Sequence, residues 1–127
     1  MGVDYKNLPD YLLQRLCDAH NPKKARIRAK FFEKEFEFFS KHIRDQNVLV
    51  AGSGFGHDSF ELAKYNKLVL GVELHPTLVE YSKKNAQRLG FSNINFEQGD
   101  ITNLRFKKNT FDSAVLNMGT IGNFDDK

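Results

Sequence analysis

From position 47 onward the apolar residues arrive in short bursts separated by amphipathic stretches, which predicts strands and helices in alternation. Val48-Leu49-Val50-Ala51 is short, apolar and largely β-branched, and it stops at a glycine cluster, so it reads as a buried parallel strand. A helix follows over roughly His57 to Tyr65. Leu68-Val69-Leu70-Gly71-Val72 reads as a second buried strand, and a second helix spans Pro76 to Leu89 with Gly90 placed to close it as a left-handed cap. Ile94-Asn95-Phe96-Glu97 alternates in polarity, which marks an edge strand. A polar turn from Lys107 to Thr110 leads into a fourth strand from Phe111 to Asn117. Strands and helices in this order, joined by short links, predict a three-layer α/β sheet with right-handed crossovers.

The preceding 45 residues follow a helical period instead. Asn7 can cap a helix that opens at Leu8 with Pro9 in its first turn, and Leu8, Leu12, Leu13, Leu16 and Cys17 form its apolar stripe. Asn21 and Pro22 repeat the start signal for a second helix to about Ile43, with Ile27, Phe31, Phe32, Phe36, Phe39 and Ile43 largely on one side. The division expected is an N-terminal helical segment over 1–45 and a Rossmann-like domain over 46–127.

Composition adds limits. The 127 residues fit one domain, and a 40% hydrophobic, 28% charged chain is too apolar for disorder. A net charge of +3 spread among acidic neighbours gives nucleic-acid binding only weak support. Lys23, Lys24, Arg26, Arg28 and Lys30 could meet phosphates, but Glu33, Glu35 and Glu37 on the same helix favour a solvated face. The single cysteine, Cys17, lies on an apolar stripe and reads as a small buried hydrophobe. The first ten residues lack a signal-peptide plan and no apolar run approaches a membrane span, so a cytoplasmic setting is expected. No cysteine or histidine cluster has metal-ligand spacing.

The chemistry gathers at the ends of the predicted strands. Gly52-Ser53-Gly54-Phe55-Gly56 leaves the first strand and opens a helix, where glycines let a ligand approach the backbone. A dinucleotide fingerprint would ask for glycine at 52, 54 and 57, but position 57 is His57. Glu73 ends the second strand, where a carboxylate can accept from both hydroxyls of a ribose; Leu74 would then pack on the base. Gly99-Asp100-Ile101 follows the third strand, where the alternative is an ordinary turn. His57 and His75 sit at helix starts, where capping and turn roles outweigh acid–base ones. His20 and His42 lie at helix ends, where a cationic tip suits the helix dipole.

With glycines at 52, 54 and 56, the loop resembles motif I of class I S-adenosylmethionine-dependent methyltransferases, and the resemblance runs in order from Asn47 to Phe124. It implies S-adenosyl-L-methionine as cofactor, held by Gly52, Ser53, Gly54, Phe55 and Gly56 around its methionine part. Glu73 would take the ribose, Leu74 and Ile101 would cover the adenine, and Asp100 would accept from the adenine amino group. Asn117 and Met118 would lie beside the transferable methyl. Two features depart from the family: Val50 stands where an acidic residue is common, and Asn117 lacks the prolines and aromatic of an Asn-Pro-Pro-Tyr motif. Adenine-amino chemistry is thereby disfavoured. The acceptor is a small molecule or a protein, with no membrane partner, and no general base is assigned. An NAD-dependent oxidoreductase and a non-catalytic cofactor-binding or assembly module are the alternatives. The family sheet is ordered 3-2-1-4-5-7-6 and this sequence supplies strands one to four, so an incomplete domain, or self-association through an open fourth strand, is expected.

Overall fold

The computed structural model describes residues 26–116. The predicted first helix, the start of the second, Asn117 and Met118 lie outside them. The elements in chain order are α1 (Arg26–His42), β1 (Asn47–Ala51), α2 (His57–Ala63), β2 (Leu68–Glu73), α3 (Pro76–Leu89), β3 (Ile94–Gln98), a 3-10 turn (Ile101–Asn103) and β4 (Ser113–Leu116). All four strands run parallel in the order β3-β2-β1-β4, with Val50 level with Gly71 on one side and Val115 on the other.

The sheet faces are dressed differently. Val48, Val50, Val69, Ile94 and Phe96 face the helices, where they meet Phe39 of α1, Leu62 and Ala63 of α2, and Val79 and Ala86 of α3. Val48, Val50, Leu62 and Val69 are fully buried, and each such side chain stabilises the fold by about 1.5–3 kcal/mol. The strands pass from β1 to β2 to β3 in one direction, so two right-handed crossovers bring α2 and α3 to the same face. On the opposite face, Leu49, Leu70 and Val72 pack against Ile101, Leu104 and Phe111. Among the described residues that face is covered by this 3-10 segment rather than by a helix.

Two asparagines, Asn66 buried and Asn93 half-buried, tie the base of the domain together. Asn66 donates to the carbonyls of Ile43 and Leu62 and accepts from the Gln46 amide, joining the ends of α1 and α2 to the start of β1. Asn93 donates to the carbonyls of Ala63 and Asn66, locking the approach to β3 onto the same corner.

Candidate functional site

The strand order reverses between β1 and β4, and in open α/β sheets ligands bind beyond the carboxyl ends of the strands at such a reversal. The glycine-rich loop leaves β1 at this point. The Gly52 and Ser53 amides donate to the Val72 carbonyl at 2.8 and 3.0 Å, folding the loop over the end of β2, and the Gly56 amide donates to the Ser53 carbonyl at 2.9 Å. Gly56 begins α2 at φ +86°, where a β-carbon would also stand 3.0 Å from the Phe60 ring. Gly54, at φ +54°, is different: a β-carbon there would meet nothing within 4 Å. The backbone at Gly54 therefore borders open space.

The side chains of the loop turn away from that space. Ser53 is buried, and the Phe55 ring packs edge-on against Tyr81 of α3 at 6.0 Å. Ser82, one residue further along α3, donates its hydroxyl to the Gly54 carbonyl at 3.3 Å and holds the loop from behind. Only the backbone of the loop is thus presented outward.

Glu73 organises the neighbouring strand end. One carboxylate oxygen accepts from the Gly54 amide at 2.8 Å and the other from the His75 amide at 3.2 Å. Each oxygen retains a second lone pair, so the group is oriented and still able to accept. Leu74 is half-buried beside it, and its carbonyl accepts from Gln98. Asp100 is exposed past β3, where one oxygen accepts from the Thr102 amide at 2.9 Å and its hydroxyl at 2.6 Å, capping the 3-10 turn. Ile101 is half-buried against the β2 end. The structure therefore brings the glycine loop, Glu73, Leu74, Asp100 and Ile101 to the carboxyl edge of three adjacent strands.

The histidines divide as their positions suggest. His75 is buried and caps α3, accepting at Nδ1 from the Thr77 amide at 3.1 Å; its Nε2 is enclosed without a partner. His57 packs on the rings of Phe32 and Phe55. Among the described residues no three His, Cys, Asp or Glu side chains gather as a metal site.

Sequence reasoning passed over Asp58 and took Glu35 for part of a solvated face, whereas Glu35 is half-buried with Oε2 enclosed. Asp58, in the first turn of α2, has no exposed surface, and burial followed by the Glu35 charge pushes its carboxyl up to about 8. Burial also raises Glu35 on α1 above the usual carboxylate range. A signal was present: Asp58 lies four residues before Leu62, and Glu35 lies between Phe32 and Phe39, so both occupy buried helix faces.

The model of a methyltransferase domain family matches residues 42–126. The chain belongs to that family. The methyltransferase domain is 32% identical over 68 residues to the uncharacterized methyltransferase YcgJ of Bacillus subtilis, covering 54% of this chain and 27% of that one. The YcgJ crystal structure superposes with a TM-score of 0.61 at 27% identity, over 67% of this chain and 36% of that one. A tRNA (guanine-N(7)-)-methyltransferase of Mycoplasmopsis pulmonis is 30% identical over 99 residues, 76% of this chain and 49% of the relative. A SAM-dependent methyltransferase from Aquifex aeolicus shares the fold at a TM-score of 0.62 and 18% identity, over 87% of this chain and 57% of that one. The methyltransferase domain described here spans about half or less of the length of the curated relatives it matches.

Proposed function

We propose that the chain binds S-adenosyl-L-methionine at the carboxyl edge of β1, β2 and β3 and serves methyl transfer to an acceptor. The observation that carries this reading is the open cradle over Gly54, braced by Glu73 from the next strand. A backbone cradle without an intruding β-carbon, next to an oriented carboxylate, fits a nucleoside with a flexible amino-acid tail. Gly52, Gly54 and Gly56 would hold the methionine part through their backbone, with Ser53 and Phe55 contributing backbone and support. Glu73 would accept from the ribose hydroxyls, Leu74 and Ile101 would flank the adenine, and Asp100 would accept from its amino group.

When bound, the cofactor supplies a methyl already activated on a sulfonium. The chain's own residues orient and enclose it, a form of catalysis that works by positioning and by excluding water. No described side chain is placed to act as a general base by this reading. The acceptor is a small molecule, a protein or an RNA, and similarity to a tRNA methyltransferase makes an RNA panel part of any acceptor screen. No described helix is long and apolar enough to cross a membrane, in keeping with the cytoplasmic setting proposed. We place the domain division at 45/46.

Thermal melting and calorimetry of the chain with S-adenosylhomocysteine and with NAD test the reading. Stabilisation by the former alone is expected, and Glu73→Gln should weaken it by roughly 1–3 kcal/mol, the cost of a charged hydrogen bond lost from a site. Binding of NAD with no response to S-adenosylhomocysteine would overturn it.

A further inference from the structure

Helix α1 meets the rest of the domain partly through two acids. Glu35 on α1 and Asp58 in the first turn of α2 contact each other through their carboxyls. Both oxygens of Asp58 and Oε2 of Glu35 are enclosed by protein without any donor reaching them. Two ionised carboxylates have no proton to offer each other, and enclosure in a poorly solvating interior makes a second charge there costly. A single proton between them turns the same contact into a charge-assisted hydrogen bond.

Among the described residues, each of these acids has the other as its charged partner. On α1, Lys34 faces solvent and pairs with Glu37. On α2, Glu61 is held by Lys64, and the ring of His57 packs on Phe32 and Phe55. The stretch from Asn47 to Gly56 carries no charged side chain. On β2, Glu73 is committed to the Gly54 and His75 amides, and Glu97 of β3 is exposed. Glu35 is the charge that acts on Asp58 among the described residues.

We propose that Glu35 and Asp58 share one proton, and that this proton latches α1 onto the helix following the glycine-rich loop, so that rising pH loosens α1. The sign follows from linkage. With α1 away and Asp58 in water, the carboxyl ionises near its ordinary value of about 4. With α1 docked it holds its proton up to about 8. Docking therefore retains a proton that undocking gives up to water. It weakens by up to tenfold per pH unit between those two values and is level above them. The same helix lays Phe32 on His57, so the latch governs how firmly the aromatic cover sits beside the loop.

Carboxyl carbon NMR of the labelled 127-residue chain, with amide spectra of α1, tests this between pH 4 and 9. The expected result is that Asp58 titrates near the upper end of the window and the α1 amides shift or broaden in step with it. Asp58→Asn keeps a donor for Glu35 but lacks the Asp58 proton, so the change in its α1 signals near the upper end of the window should disappear. Glu35→Gln removes the neighbouring charge and should bring the Asp58 midpoint down. The proposal fails if Asp58 of the wild-type chain titrates in the ordinary carboxylate range. It fails equally if the α1 change near the upper end of the window persists in Asp58→Asn. Should that variant not fold, the wild-type titration and Glu35→Gln decide the matter by themselves.

Discussion

Gly54 and Glu73 show how a residue's place at a strand end can be read from sequence while its geometry cannot. The glycine pattern announced a ligand-facing turn, but it did not distinguish the glycine that borders open space from the one that packs against Phe60. Gly54 has the first property and Gly56 the second. Gly54→Ala should therefore separate stability from binding. Its positive φ costs an alanine about 1 kcal/mol in the folded chain, while the added methyl meets no protein atom and intrudes only on a ligand. Affinity for S-adenosylhomocysteine should fall by roughly tenfold or more, about 1.4 kcal/mol, with a smaller change in denaturation midpoint. Equal losses in both, or unchanged affinity, would remove Gly54 from the site. Glu73 was legible as an acid at a strand end, whereas its bonds to the Gly54 and His75 amides depend on two loops meeting in space. Asp58 was passed over for a related reason: a carboxylate in a first helical turn ordinarily reads as a solvated partner of the helix dipole, and its burial comes from a helix some twenty residues upstream.

At the scale of elements, the periodicities that mark helices and strands placed α3, β1 and β2 within a residue or so. Pro76 and Gly90 bound α3 as expected, because start and stop signals are local backbone chemistry. The fourth strand is shorter than its apolar run suggested: Phe111 packs beneath the sheet and Asp112 accepts from the Asn47 amide, so pairing begins at Ser113. Packing between elements leaves fainter traces in a sequence. Gly71 looks like a break in an apolar strand, yet it is the point where Phe96 of β3 crosses the face of β2. A β-carbon at Gly71 would lie 2.6 Å from the Phe96 ring and 2.9 Å from the Ser53 β-carbon. Gly71→Ala should then destabilise the domain by about 1–3 kcal/mol through overpacking, measured by urea denaturation. Pairing it with Phe96→Leu should recover part of the loss. If Gly71→Ala proves neutral, the ring is free to move and the close approach has little energetic weight.

At the scale of the whole molecule, the strand order β3-β2-β1-β4 puts the glycine loop at the reversal, where open α/β sheets bind ligands. The same order leaves β4 at one side of the sheet. Among the described residues, no strand pairs with its outer edge. Leu116 is 45% exposed, and Ala114 is exposed with it on the face away from the helices. An unpaired edge beside an uncovered apolar face invites pairing with a further strand or a second copy. The 127-residue chain should accordingly self-associate, which sedimentation velocity across a range of concentrations would detect. Leu116→Lys places a charge on the exposed face, where edge strands commonly carry one, and should shift the distribution toward monomer without lowering the melting temperature. A chain that stays monomeric at all concentrations would show that the β4 edge needs no partner.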